Sequence, residues 1–292
     1  MKFRAHDTFA IRKGWLHKGM RHLLEKPRLF VDKNINAMDE LGIGSNMVKA
    51  LRYWLQAFGL TEEVGTNAKQ QIFTELGKLI WENDTFMEED GTYCILHYML
   101  ASNKELATAW YYFFNIYNMN EVTKDTFVND IKTYISVNND DNSVSDRALD
   151  DDYDCIMKTY VKNDDANNPE SNIESPLTEL GLIKLIDKKN KIYNKTAPSF
   201  ATINPLIILA IIIKECGRQN NKDIKISKIE KDPCNIGKIF NLNNIQVAQY
   251  LDKLQNMGLI KVVRAAGLDI INIRTEMTFM DCIKKYYESL NN

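Results

Sequence analysis

One pattern occurs twice in the chain and constrains its fold more than any other feature. An amphipathic helix is ended by a glycine and followed directly by two short strands. In the first copy, apolar residues recur at intervals of three and four over residues 47–58, and Gly59 ends the helix. A shorter helix at 34–41 precedes it, and residues 62–73 indicate strand, turn and strand. Two helices followed by a hairpin are the order of a winged helix, so we predict such a unit here.

The second copy occupies residues 224–273 and is also interpreted as helix–turn–helix with a hairpin: a short strand at 224–226, the segments 229–235 and 239–242, a longer helix and the hairpin. Its apolar stripe matches that of the first copy at an interval of 200 residues, although Gly258 ends the helix one position early. The matching pairs are Met47 with Val247, Leu51 with Leu251 and Trp54 with Leu254. The sequence therefore predicts a mainly α (α+β) fold with multiple winged-helix-like units and short β-hairpins.

A third hairpin is predicted near the middle of the second half of the chain. Residues 182–186 and 191–193 read as strands around the polar turn 187–190, and 176–181 reads as a short helix before them. The basic tip of this hairpin either contacts a phosphate backbone or is simply solvated.

Charge is distributed unevenly, although the net charge of the chain is only -2. Residues 1–60 carry a net +6 and residues 176–292 a net +7, whereas 61–120 carry -6 and 121–175 carry -9. Basic ends favour a polyanionic partner such as DNA, because each phosphate contact releases counterions. Ordinary mixed surface charge would give the same totals.

Polar, turn-rich stretches at 137–143 and 163–169 flank a helical pattern at 147–161. We therefore expect an N-terminal winged-helix-like and helical domain over residues 1–135. An acidic connector with a helix follows at 136–175, and a C-terminal winged-helix-like domain occupies 176–292.

Several classes of protein are excluded. The longest apolar run, Leu206 to Ile213, is far shorter than the roughly 20 residues of a membrane span. The first residues contain no apolar stretch of signal-peptide length, so we do not expect export. The five cysteines contain no C-x-x-C pair, which excludes the usual zinc and disulfide patterns and favours the cytoplasm. No P-loop, dinucleotide motif or nucleophile elbow occurs.

Each of the two longer helices has a polar face opposite its apolar stripe. These faces present side chains that read base edges or hold phosphates. On the first helix they are Asn46, Lys49, Tyr53 and Gln56, with Arg52 on the flank; on the second they are Gln246, Gln249, Lys253 and Asn256. We predict that these faces bind DNA, with the first favoured because of its basic surroundings. Winged-helix units also bind proteins, so a protein-binding role stays open.

The densest polar cluster lies at the start of the chain and contains His6, Asp7, Arg12 and Lys18. In a nuclease, His6 would accept a proton and Asp7 would hold a divalent metal such as Mg²⁺. Arg12 and Lys18 would stabilise the scissile phosphate. Alternatively, the neighbouring aromatic residues pack and these charges form a solvated rim.

A second acidic cluster comprises Asp84, Glu88, Glu89 and Asp90, with His97 close after it. Carboxylates are suitable Mg²⁺ ligands, but a solvated loop is the favoured interpretation. The aromatic run 110–114 is either a contact patch for a protein partner or, more simply, core.

Four motifs are distinctive enough to indicate a family. They are Phe3-x-x-His6-Asp7-Thr8-Phe9-x-x-Arg12-x-Gly14-Trp15-x-x-Lys18-Gly19, Leu41-Gly42-Ile43-Gly44-x-Asn46-Met47-Val48-x-Ala50-Leu51-Arg52-Tyr53-Trp54, Ser175-Pro176-Leu177-x-Glu179-Leu180 and Ala265-Ala266-Gly267-Leu268. Together they resemble the bacterial domain of unknown function family 4007, and the resemblance runs almost end to end.

That family resembles the B component of single-strand DNA phosphorothioation defence systems, which protect bacteria against phage. The resemblance implies a DNA-nicking subunit that acts beside a cysteine desulfurase, an ATPase and a sulfur-transferring ATP pyrophosphatase. It implies no secure set of catalytic residues, so the motif residues are candidates only. Two alternatives are a non-catalytic adaptor that bridges the ATPase and sulfur-transfer subunits, and a winged-helix DNA-binding regulator.

Overall fold

The computed structural model describes residues 1–66, 69–138, 144–162, 174–218, 223–265 and 268–290. Its N-terminal part consists of three helices and a hairpin, which are α1 (Trp15–Glu25), α2 (Ala37–Leu41), α3 (Ser45–Ala57), β1 (Thr61–Val64) and β2 (Gln70–Phe73). The Asn36 side chain caps α2 by accepting a hydrogen bond from the Met38 amide, and Gly42 ends α2 in the left-handed conformation.

The middle part is helical, with α6 continuing directly into a π-helical turn. Its elements are α4 (Glu75–Asn83), α5 (Asp90–Ala101), α6 (Thr108–Tyr111), the π-helix Tyr112–Ile116, β3 (Glu121–Val122), α7 (Lys124–Asn138) and α8 (Asp146–Tyr160). The last of these helices confirms the helical pattern predicted at 147–161. The Ser145 side chain caps α8 by accepting from the Ala148 amide.

The C-terminal part begins with a 3₁₀ turn at Pro176–Leu180. It continues with β4 (Ile183–Asp187), β5 (Ile192–Lys195), α9 (Pro205–Arg218), β6 (Asp223–Lys225), α10 (Ile226–Lys231), α11 (Ile236–Ile239), α12 (Asn244–Asn256), β7 (Ile260–Ala265), β8 (Leu268–Ile273) and α13 (Phe279–Leu290). The third predicted hairpin is therefore present as β4 and β5. Across the described ranges, no helix is long and apolar enough to cross a membrane.

All strand pairs in the described ranges are antiparallel and form three small sheets, ordered β1-β2, β3-β5-β4 and β6-β8-β7. The prediction of a mainly α fold with short hairpins is thus confirmed. In the third sheet, Ile260 lies opposite Ile273, and Ile224 lies opposite Ile271. Both copies of the predicted helix–hairpin order are observed, but their assignment to the winged-helix class stays a prediction. The turn residues 67–68 and 266–267 lie outside the described residues.

One continuous apolar core runs through all three parts of the chain. The aromatic run 110–114 belongs to it, with Trp110, Phe113 and Phe114 buried, so the contact-patch alternative is wrong. Helix α13 packs on α9 and returns to α5, where the Gly91 amide donates to the Tyr286 hydroxyl over 3.1 Å. The division at residues 135 and 175 stays a prediction. Residues 139–143 and 163–173, which include most of both predicted loops, are not described.

Candidate functional site

His6 lies in the protein interior with 0% of its surface exposed. Its Nε2 is 2.7 Å from Asp152 Oδ1, and its Nδ1 accepts a hydrogen bond from the Thr8 amide over 3.1 Å. Because that amide is a donor, the proton of the ring is on Nε2 and points to Asp152. The ring also meets Trp110 edge-on with 5.6 Å between centroids. Both ring nitrogens of His6 are thus engaged inside the fold, and its role as a proton acceptor stays a prediction.

The loop that carries His6 is held in a strained conformation. Arg4, Asp7 and Thr8 have φ angles of 56°, 51° and 68°, and such angles cost about 1–3 kcal/mol each in residues other than glycine. Helix α8 compensates for this strain, because Asp152 Oδ1 also accepts from the Arg4 amide over 2.9 Å. Burial raises the pKa of Asp152, and the hydrogen bond from His6 opposes that rise. The His6–Asp152 pair thus anchors the N-terminal loop on α8.

The other predicted catalytic residues have separate partners. Lys18 Nζ donates to the Leu41 carbonyl over 3.2 Å and so fastens α1 to α2. The Asp7 carboxylate lies 3.9 Å from Lys49 Nζ, across the surface of α3. Arg12 alone among the four lines an open cleft, with its guanidinium 5.3 Å from the centre of the Trp15 ring. The predicted four-residue site is therefore not assembled.

On the first predicted DNA-binding face, only Asn46 and Lys49 are fully exposed. Arg52 Nη2 lies 2.6 Å from Glu63 Oε1 on the neighbouring strand β1, and Gln56 Nε2 donates to the same oxygen over 2.9 Å. Both side chains are thus already engaged by Glu63.

Tyr53 was predicted on that exposed face, but only 9% of its surface is accessible, so this prediction is wrong. Its ring lies 5.1 Å from that of Trp54 and 6.3 Å from that of His6. The physical reason is that the N-terminal loop covers a second side of α3, which the apolar stripe alone does not reveal.

The face of α12 is more open. Gln246 is occupied, because its Oε1 accepts from the Asn243 amide in a capping box, but Gln249 and Lys253 are exposed. Lys253 Nζ lies 5.3 Å above the Phe200 ring and makes no ion pair with any described residue. Exposed Asp252 is an acidic neighbour on the same helix.

The adjacent strand β7 adds two exposed cations, Lys261 and Arg264, which also lack an ion-pair partner within the described ranges. The two hairpins differ in this respect, since β1 carries Glu62 and Glu63 instead. Three exposed cations therefore lie on two packed elements of the C-terminal part, α12 and β7.

A cleft of about 420 Å³ opens where the start of α1 meets the segment between α4 and α5 and the 3₁₀ turn. Its lining includes basic Arg12 and Lys13, acidic Glu88, Asp90 and Glu179, and aromatic His17, Phe86 and Tyr93. Burial foremost, together with nearby carboxylates such as Asp84 and Glu88, raises the pKa of the Tyr93 hydroxyl to about 12. The cleft therefore presents groups of both charges, and acidic Glu179 lies 3.7 Å from Lys13 Nζ.

Asp84, from the acidic cluster, is a structural residue. Its buried carboxylate accepts hydrogen bonds from the Glu88 and Glu89 amides, over 3.0 and 3.1 Å, and from the Thr92 hydroxyl over 2.7 Å. It thereby fixes the start of α5 and cannot also serve as an open metal ligand. His97 is buried elsewhere, against Tyr160.

In the part of the chain that the structure describes, no three His, Cys, Asp or Glu side chains are grouped closely enough to hold a metal ion. The predicted magnesium set is thus not preformed by protein ligands. Within the cleft, the exposed carboxylates of Glu88 and Asp90 supply two oxygen-bearing groups, and Mg²⁺ usually completes such a pair with water and phosphate.

Sequence reasoning missed two features of these sites. Asp152 gave no signal, because its contact with His6 spans 146 residues and no local pattern links them. Sequence reasoning also did not single out Phe86, which has 64% of its surface exposed at the cleft. Its neighbours in the sequence, Asp84, Glu88 and Glu89, are acidic and could have indicated that Phe86 is exposed.

Comparison with known proteins connects these observations to a family. The model of the family described as protein of unknown function (DUF4007) matches residues 3–287. A crystal structure of SspB is similar at 25% sequence identity and a TM-score of 0.86, and a magnesium ion-bound SspB crystal structure has the same identity and a TM-score of 0.87. Each similarity covers 100% of this chain and 89% of the SspB chain. No curated protein matches.

Proposed function

The chain belongs to the DUF4007 family, and on this basis we propose that it is the B component of a bacterial DNA phosphorothioation system, in which it binds DNA. The observation that carries the proposal is the similarity to SspB over the whole chain at 25% identity. Within such a system the chain acts beside the subunits that mobilise and transfer sulfur, and its own contribution is to hold the DNA strand that is modified.

The C-terminal part is the better candidate for the main DNA contact. Lys253, Lys261 and Arg264 are exposed and free of acidic partners, so they can neutralise phosphates without breaking an existing interaction. Gln249 and Asn256, on the same exposed side of α12, have amide groups that suit base edges.

The N-terminal face is proposed as a secondary contact. Lys49 and Asn46 remain exposed there, but DNA would have to compete with Glu63 for Arg52 and Gln56. Separating Arg52 from Glu63 costs the energy of a short, half-buried ion pair. A DNA contact by Arg52 is therefore less favourable than one by a cation of the C-terminal face, which has no ion pair to break.

Binding to a short duplex should weaken as salt rises, because each neutralised phosphate releases counterions. Replacing Lys253 and Lys261 with Gln should lower the slope of log affinity against log salt by about 2, whereas Arg52→Gln should change it by less than about 1. Fluorescence anisotropy at several salt concentrations measures both slopes. A double variant that binds like the unchanged protein would contradict the assignment of this face.

Nicking of one DNA strand is the more specific activity that the family resemblance implies. Of the residues proposed for it, Arg12 lines the cleft, where its guanidinium can stabilise a phosphate as charge builds. Magnesium, when bound, would supply a Lewis acid at that phosphate. Glu88 and Asp90 are the carboxylates that would hold it.

The burial of His6 and the lack of a three-ligand cluster in the described ranges favour a second candidate, the non-catalytic adaptor. Incubation with supercoiled plasmid and Mg²⁺ separates the two. If the chain nicks DNA, the open-circle form accumulates and Arg12→Gln abolishes it while DNA binding persists. Plasmid that stays supercoiled while it is bound supports the adaptor.

A further inference from the structure

The cleft at the start of α1 has an exposed aromatic surface that the DNA-binding faces do not use. Trp81, His17 and Phe86 form a continuous stack, with 5.3 Å and 4.7 Å between successive ring centroids and interplanar angles of 14° and 26°. Phe86 is the outer ring of this stack and has 64% of its surface exposed. A flat, exposed ring at the end of an ordered stack is a platform on which another planar group can pack.

The segment that carries Phe86 is rigid. Asp84 binds the amides of Glu88 and Glu89 with its two carboxylate oxygens, which closes the loop around Phe86. Met87, the next residue, has a φ of 56° and a buried side chain. His17 Nδ1 lies 3.1 Å from the Thr85 carbonyl, which can only accept, so the ring donates there and its orientation is fixed. The platform is therefore in place before a ligand arrives.

Charged groups of both signs line the cleft around the platform. Lys13 Nζ lies 3.7 Å from Glu179, but Arg12 makes no ion pair with any described residue, so at least one cation of the cleft is available. Glu88 and Asp90 also line the cleft, are exposed and can accept hydrogen bonds. A ligand that fits has an anionic end, a flat ring and N–H donors on the ring edge.

We propose that this cleft binds one unstacked nucleotide of a DNA strand, with its base on Phe86 and its phosphate at Arg12. Cytosine, adenine and guanine carry the exocyclic amino group that Glu88 or Asp90 would accept, and thymine does not. The volume of about 420 Å³ lies within the range of small-molecule sites. This inference rests on the proposed DNA-binding function and adds a nucleotide pocket distinct from the faces of α12 and β7.

Affinity for single-stranded DNA tests the platform. Phe86→Ala should weaken binding of an oligo-dC strand on the order of tenfold, because stacking of one base on an aromatic ring is lost. Phe86→Tyr keeps the ring and should bind like the unchanged protein. Met119→Ala, which removes another exposed apolar side chain, is the matched control and should have no effect. Oligo-dC should bind more tightly than oligo-dT.

The phosphate contact of Arg12 is tested separately. Arg12→Gln should reduce the slope of log affinity against log salt for single-stranded DNA by about 0.7, the value of one phosphate contact. Arg21 is an exposed cation further along α1, and Arg21→Gln should leave this slope unchanged. A strand with a single 5-iodocytosine, irradiated in the complex, should cross-link to Phe86, and mass spectrometry of the digested protein identifies the attachment site.

The outcomes distinguish this inference from the proposed function. If the unchanged protein binds no DNA, both fail. If it binds DNA but Phe86→Ala binds equally well and the cross-link maps outside the cleft, the nucleotide pocket is wrong while DNA binding stands. Loss of affinity in Phe86→Ala with rescue by Phe86→Tyr and a cross-link at Phe86 supports the pocket.

Discussion

Acid should destabilise this protein through one buried histidine. His97 lies inside α5, where its Nε2 is 2.7 Å from the Ile239 carbonyl and its Nδ1 is 2.8 Å from the Tyr160 hydroxyl. A carbonyl only accepts, so Nε2 carries the proton and Nδ1 accepts from Tyr160. These two hydrogen bonds join α5 to α8 and to α11, and they engage both nitrogens of the neutral ring.

Burial lowers the pKa of His97 from 6.5 to about 4, although the hydrogen bond to Ile239 partly opposes this. Between these two values the unfolded chain binds a proton that the folded chain does not. Stability is therefore full above pH 6.5 and falls as the pH drops toward 4. At 1.36 kcal/mol per pKa unit, the loss attributable to His97 is about 3 kcal/mol.

His97→Gln tests this reasoning. The Gln side-chain amide can still donate to Ile239, so we expect a cost of about 1–3 kcal/mol at pH 7 for the altered contact with Tyr160. Because Gln does not titrate, the stability of the unchanged protein relative to His97→Gln should fall by about 3 kcal/mol between pH 7 and pH 4, so the variant should be at least as stable at pH 4.

Urea denaturation followed by circular dichroism at a series of pH values measures this difference. His22→Gln, which replaces a half-buried histidine on α1, serves as the control and should keep the acid slope of the unchanged protein. Parallel stability curves for the unchanged protein and His97→Gln from pH 7 to 4 would refute the argument.

Two further predictions concern the core. Lys195 donates to the Phe113 and Tyr117 carbonyls, and burial lowers its pKa from 10.5 to about 7. Between these two pH values the unfolded chain binds a proton that the folded chain does not, so the free energy of unfolding should rise with pH by up to about 1.4 kcal/mol per pH unit. Urea denaturation of Lys195→Met should lack that rise. Gly91→Ala should cost about 1–3 kcal/mol in thermal or urea unfolding, because the added methyl group overlaps the Tyr286 ring, and an unchanged melting temperature would count against this packing.

The elements that sequence reasoning located correctly are those with a local signal. Helices α3, α8 and α12 each have a stripe of apolar residues at helical spacing, and residues that favour helix ends flank them. Each hairpin has turn residues between two short segments that were predicted as strands. These signals need only the residues of the element itself, so they survive in a single sequence.

The features that were missed depend on contacts between distant segments. The N-terminal loop covers Tyr53, and Asp152 on α8 receives His6, yet neither contact leaves a pattern in either segment. A His, an Asp and two cations within a basic block predict a polar site, but the partner of each side chain decides whether it faces solvent. Arg12 lines the cleft and makes no ion pair with a described residue, and its catalytic role stays a prediction.

The strand that follows each long helix explains why the two similar units differ in their suitability for DNA. Strand β1 has the sequence Thr-Glu-Glu-Val, and its Glu63 forms an ion pair with Arg52 and accepts a hydrogen bond from Gln56 on α3. Strand β7 reads Ile-Lys-Val-Val-Arg-Ala and adds cations beside α12 instead. In the first unit the hairpin therefore engages a cation of the helix face, whereas the exposed cations of the second hairpin make no ion pair with a described residue. Because each strand lies only a few residues beyond its helix, the sign of its charges ranks the two faces from sequence once the hairpin is recognised.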